Sequence, residues 1–236
     1  MDPIALKMNL QPFELPFDHH LLRGDRHANP CHTLVLHGAG LSSRQRFLKM
    51  LGALKDKGLP SAGFDFIGHG DTGGEITETS LYGRTQQAAA VIRQTCREPL
   101  NLIGASMSAY TAIRLTGIFS VENLVLLVPA VYTPQAYHLP FGPAFSAAIR
   151  VPRSWKDSDA FDFLGHFKGN LLIIAAENDH VIPDEVIKML HESAKYAKIN
   201  EVYKVPGSEH LGLFSTSRDF DRAIRRIAEI CGMNPV

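Results

Sequence analysis

Short apolar runs recur along the chain at residues 33–36, 61–66, 100–103, 124–128, 171–175 and 202–205. Most are continuous rather than alternating, the pattern of strands covered on both faces by other layers. Between them lie longer stretches, 44–57, 79–96, 108–116, 183–196 and 218–230, in which apolar residues return at helical spacing. Strands alternating with helices form βαβ units, and right-handed crossovers assemble these into a mainly parallel sheet with helices on both faces. The expected class is therefore α/β. The segment up to about Pro30 reads as a pair of antiparallel strands ahead of the parallel core. Residues 133–168 carry Pro134, Pro140, Pro143 and Pro152 among aromatic residues without a strand pattern, and read as an insertion.

A length of 236 residues suits one α/β domain over 1–236, with 133–168 as a cap inserted in it. Lys plus Arg equals Asp plus Glu at 24 each, so no overall charge points to nucleic acid or to an anionic membrane. Cys31, Cys96 and Cys231 are odd in number and lack CxxC or Cys/His ligand spacing. That pattern argues against a disulfide framework or a structural zinc, and fits a reducing cytoplasm. The opening residues show no basic stretch followed by an apolar one, and no segment approaches the roughly 20 apolar residues that span a bilayer. Neither export nor membrane insertion is expected.

The sharpest local feature is NLIGASMSAYTAIRL, in which an apolar strand runs into Gly104-Ala105-Ser106-Met107-Ser108 and directly on into a helix. A serine in such a turn occupies a strained conformation, so its neighbours must be small, and its oxygen projects from the strand's C-terminal end. The helix N-terminus behind it offers free N–H groups and a favourable dipole to a developing oxyanion. Taken alone, the segment also reads as a tight turn with Ser106 as a helix cap.

The turn resembles the nucleophile elbow of the α/β-hydrolase superfamily, with Ser108 in place of the second glycine of G-x-S-x-G. The resemblance extends from about Cys31 onward through LVLHGAG (34–40), FDFIGHGDTGG (64–74), LLIIAAENDHVIPDE (171–185) and VYKVPGSEHLGLF (202–214). It implies Ser106 as nucleophile, His210 as general base and Asp179 as the acid that orients it, in the chain order of that superfamily. It also implies an oxyanion hole from the N–H groups of Ala39 and Met107. Ala176 replaces the usual glycine before the acid, and Glu177 is the rival carboxylate. Asp65 and His69 precede the serine and are expected to be structural, as is His180 in its loop.

The activity this implies is hydrolysis of a small or medium carboxylic ester or thioester through an acyl-enzyme, with no cofactor and no metal. A lactonase, a carbon–carbon bond hydrolase and a non-catalytic ligand-binding homologue remain as alternatives. Phe141, Phe145, Trp155, Phe161, Phe163 and Phe167 of the insertion either line an apolar acyl pocket or form the cap's own core. His138, Arg150, Arg153 and Lys156 are available to meet an anionic group, or are ordinary exposed residues of the cap.

Overall fold

The computed structural model describes residues 9–27 and 30–233. Met1–Met8, where no export signal is read, lie outside the described residues. The strands are β1 Gln11–Phe17, β2 His20–Arg26, β3 Cys31–Leu36, β4 Ser61–Phe64, β5 Cys96–Ala105, β6 Val121–Leu127, β7 Asn170–Ala176 and β8 Ile199–Val205. The α-helices are α1 Leu48–Asp56, α2 Leu81–Thr95, α3 Met107–Leu115, α4 Pro143–Arg150, α5 Ala160–His166, α6 Asp184–Ser193 and α7 Ser217–Ile230. All eight strands join one sheet in the order β1-β2-β4-β3-β5-β6-β7-β8. The six from β4 to β8 run parallel, and β1 and β2 add an antiparallel hairpin at one edge.

Side chains alternate across the central strands, because successive residues of a strand face opposite sides of a sheet. Leu102, Leu124, Leu126, Leu171 and Ile173 pack on one face with α2, α3 and α6. Ile103, Val125, Leu127, Leu172 and Ile174 pack on the other with α1 and α7. Every central position is thus buried, which is why these strands read as unbroken apolar runs.

A polar ladder fixes the register near the N-terminal ends of the same strands. The Asn101 amide donates to Thr33 Oγ1 (3.0 Å), Asn123 donates to Asn101 Oδ1 (2.7 Å), and Asn170 donates to Asn123 Oδ1 (2.7 Å). These residues are also backbone partners across the sheet. A slip of one residue would turn each amide into an apolar layer, so the ladder selects one register.

Among the boundaries that differ from the pattern-based reading, two have a clear physical cause. β5 starts at Cys96 rather than at Leu100, because its first residues are polar and half-buried or exposed and so carry no apolar signal. Cys96 nevertheless pairs with Cys31 of β3, and this brings their free thiols to 3.4 Å. The stretch 44–57 begins as a tight 3-10 turn, Arg44–Phe47. Its first residue is held by carboxylates: the Arg44 N–H donates to Asp65 Oδ1 (2.7 Å), and its guanidinium pairs with Asp25, Asp65 and Asp71.

Candidate active site

The residues singled out in the sequence meet at the C-terminal edge of the parallel strands, where open α/β sheets place their ligands. Ser106 follows β5 with φ 50° and ψ −115°, a conformation that costs a non-glycine residue about 1–3 kcal/mol. It is held there from both sides. The Ser106 N–H donates to Leu127 O (2.8 Å), while its carbonyl accepts from Ala109 (3.0 Å) and Ala130 (3.1 Å).

The two small flanking positions play different parts. A Cβ on Gly104 would lie 2.4 Å from the Ser108 carbonyl oxygen and 2.9 Å from Ala109 Cα, so strand and helix backbones touch there. Ser108, by contrast, is tolerated because its hydroxyl has a use. It is buried and donates to the His37 carbonyl at 2.5 Å.

Ser106 Oγ lies 3.0 Å from His210 Nε2, and His210 Nδ1 lies 2.9 Å from Asp179 Oδ2. The side chains of His210 and Asp179 are only 9% and 8% exposed. For Nε2 to accept the serine proton, the ring must carry its own proton on Nδ1, which is the nitrogen facing the carboxylate. The other carboxylate oxygen accepts from the N–H groups of Val181 and Ile182, both at 2.8 Å, so Asp179 is fixed by its own turn. Glu177 has a different task. It is exposed and accepts from the Gly207 N–H at 2.8 Å, bracing the loop that bears the histidine. His180 is exposed in the acid loop.

Asp65 and His69 stand apart from this chain, as the order of the residues implied. Asp65 is buried on Arg44 and also accepts from the Asp71 N–H (2.9 Å). His69 is buried against Ile67 O (3.3 Å), and burial followed by the nearby Arg84 charge pushes its pKa down to about 4. His37 Nε2 accepts from the Phe66 N–H (3.2 Å), which puts its proton on Nδ1 toward Gly38 O (2.7 Å). Burial, and then the Arg84 and His69 charges, hold its pKa well below the usual value. His37 is therefore neutral, and its 4.0 Å approach to Asp65 is not an ion pair.

Solved structures superpose on this fold over nearly the whole chain. The thioesterase domain from the curacin biosynthetic pathway matches with a TM-score of 0.70 at 16% identity, covering 92% of this chain and 99% of that one. The Pyrococcus furiosus esterase Pf2001 matches with 0.70 at 18%, covering 98% and 95%. Est1E from Butyrivibrio proteoclasticus, solved with ferulic acid, matches with 0.71 at 14%, covering 93% and 97%. The chain has the α/β-hydrolase fold. No protein-family model and no curated protein matches its sequence.

Within this α/β-hydrolase fold, the loop after β3 approaches the serine closely: a Cβ on Gly38 would come 3.3 Å from Ser106 Cβ. The N–H groups of Ala39 and Met107 donate to no acceptor among the described residues, which leaves both available to a substrate oxygen. A residue with no sequence signal secures this loop. Arg84, on α2, is completely buried, and its Nη2 donates to His37 O (2.8 Å), Gly38 O (3.2 Å) and Ser108 Oγ (2.9 Å). No carboxylate pairs with it among the described residues, and it lies 3.8 Å over the Phe66 ring. Burial pushes its pKa down to about 9, so it stays cationic at neutral pH. Arg84 thus ties the loop after β3, through two carbonyls, to the first turn of α3 after Ser106.

A cavity of about 550 Å³ opens from Ser106, His210 and Ala39 toward α1 and α7, with apolar walls that include Phe47, Met50 and Phe220. None of its lining comes from residues 133–168. The insertion's aromatics follow neither of the two expected arrangements: they do not line this cavity and do not form a separate cap core, but join the main core of the domain. Phe141, Phe145 and Phe167 are buried with Tyr110 and Tyr137 of the main cluster, and Trp155, Phe161 and Phe163 pack against it. Asp159 of the insertion accepts from Tyr110 on α3 (2.7 Å) and pairs with Arg114 of the same helix. Three of the insertion's basic residues are similarly engaged: Arg153 and Lys156 pair with Glu185, and His138 lies against Tyr82; Arg150 lies outside the cavity. Among the described residues, no helix is long and apolar enough to cross a membrane, and no three His, Cys, Asp or Glu side chains group as metal ligands.

Proposed function

We propose that this protein is a serine hydrolase that cleaves a carboxylic ester or thioester through an acyl-enzyme on Ser106. The observation that carries the reading is the continuous hydrogen-bonded chain from Ser106 Oγ through His210 to Asp179, at 3.0 and 2.9 Å. His210 Nε2 takes the hydroxyl proton as Ser106 Oγ bonds to the carbonyl carbon, and Asp179 stabilises the resulting imidazolium. The carbonyl oxygen, now an oxyanion, accepts from the N–H groups of Ala39 and Met107. Collapse of this intermediate expels the alcohol or thiol, which takes the proton back from His210. Water then repeats the sequence on the acyl-serine and releases the acid. No step calls for a cofactor or a metal.

The substrate is a small molecule, because a cavity of about 550 Å³ is of the size that accepts drug-sized ligands. The three free thiols support a cytoplasmic setting for it. A p-nitrophenyl ester series of increasing acyl length, run beside Ser106→Ala, tests the reading. Turnover that peaks at short or medium chains and vanishes in the variant supports it. Equal turnover by the variant overturns it.

A further inference from the structure

We propose that the substrate carries an anionic group, a carboxylate several bonds from the scissile carbonyl, and that Arg46 and Lys49 bind it; the identity of that carbonyl rests on the serine-hydrolase reading above. Arg46 and Lys49 line the same cavity as Ser106 and His210, and no Asp or Glu lines it. Their spacing of three residues around the start of α1 places them on one side of that segment.

The contrast with Arg44 in the same turn shows that this charge is not spent on the fold. Arg44 is taken up by Asp25, Asp65 and Asp71. Neither Arg46 nor Lys49 pairs with a carboxylate among the described residues. The Lys49 ammonium instead lies 4.3 Å over the ring of Phe220, a wall of the cavity. Asp219, the acidic residue in the first turn of α7, accepts from the Thr216 hydroxyl at 2.6 Å and does not line the cavity. A cleft with low-dielectric walls and charges of one sign concentrates ligands of the other sign. An apolar wall beside two cations that no carboxylate neutralises among the described residues fits a short acyl chain ending in a carboxylate. The basic residues of the insertion do not supply this charge, since they lie outside the cavity.

Exposed ion pairs of middling strength contribute about two- to threefold each in binding, so two give a preference of roughly five- to tenfold. The test measures binding rather than turnover. Ser106→Ala protein is titrated calorimetrically at neutral pH with phenyl hydrogen adipate and with phenyl hexanoate, which differ by a carboxylate in place of a methyl. The anion is expected to bind about five- to tenfold more tightly. That preference should disappear in about 1 M NaCl, where the screening length falls to about 3 Å. It should reverse in Arg46→Glu/Lys49→Glu. Equal binding, undetectable binding of both esters, or a preference that survives charge reversal overturns the proposal. Because Ser106→Ala needs no chemistry, an anion preference in a protein that never acylates would sink the hydrolase reading alone. Acylation without the preference would sink only the present one.

Discussion

Replacing Gly104 with alanine tests the elbow at its tightest point. The added Cβ would fall 2.4 Å from the Ser108 carbonyl oxygen and 2.8 Å from its carbon, about 1 Å short of ordinary contact. Both are backbone atoms, so no rotamer change relieves the clash, and α3 must move relative to β5. Forcing extra volume into a packed site costs about 1–3 kcal/mol. For a chain of this size each kcal/mol lowers Tm by roughly 2–4 °C, so a fall of about 4–8 °C is expected for a cost of about 2 kcal/mol. The functional loss should be larger in proportion. The same displacement carries the Met107 N–H and Ser106 Oγ off their positions, and misplacement by about 1 Å costs on the order of 10² in rate. Thermal melts and kcat/KM on a p-nitrophenyl ester read the two effects separately. Ser108→Ala is the control. It removes one hydroxyl, leaves Arg84 on both loop carbonyls, and should cost about 1 kcal/mol. A Gly104→Ala protein with wild-type Tm and kcat/KM within about twofold of wild type would refute the close-contact argument.

Three further outcomes follow from the geometry. Asp179→Asn keeps an acceptor for the Val181 and Ile182 N–H groups but lets His210 adopt the wrong tautomer; steady-state kinetics should show kcat lower by about 10⁴. Asn123→Ala cuts the amide ladder between Asn101 and Asn170 and should lower the unfolding free energy by about 2 kcal/mol in urea titrations. His69 is held neutral, with its pKa near 4 in the fold against about 6.5 in an unfolded chain. The unfolded state therefore binds more protons between those values, so the His69 contribution is complete above pH 6.5 and is lost as pH falls toward 4. The shift corresponds to about 3 kcal/mol, and His37 loses stability in the same direction. Urea midpoints measured across this range should fall more steeply for wild type than for His69→Gln; parallel slopes would count against the assignment.

What the sequence made legible was the part fixed by local pattern. Doubly covered strands must be apolar at every position, so the runs ending near Leu36, Ile103 and Ala175 marked both the sheet and the edge at which Ser106, Asp179 and His210 meet. β1 and β2 were anticipated only as an antiparallel pair, because an edge hairpin mixes polar and apolar residues. The side of the serine on which the cavity lies was not legible. Phe47 and Met50 look like any amphipathic segment, whereas the aromatics of 133–168 drew attention to the wrong side. Arg84 gave no warning either, since its partners are backbone carbonyls distant in sequence. The amide ladder did leave a trace: Asn-Leu opens the apolar run at Asn101, Asn123 and Asn170.

The proposed chemistry depends on Ser106 being an activated nucleophile. Intact-protein mass spectrometry after incubation with a fluorophosphonate addresses it most directly, using wild type, Ser106→Ala and His210→Ala. A single phosphonyl adduct is expected on wild type, placed on Ser106 by peptide mapping, with none on Ser106→Ala and strongly slowed labelling of His210→Ala. Folded wild-type protein that stays unlabelled, or an adduct that persists in Ser106→Ala, would contradict it.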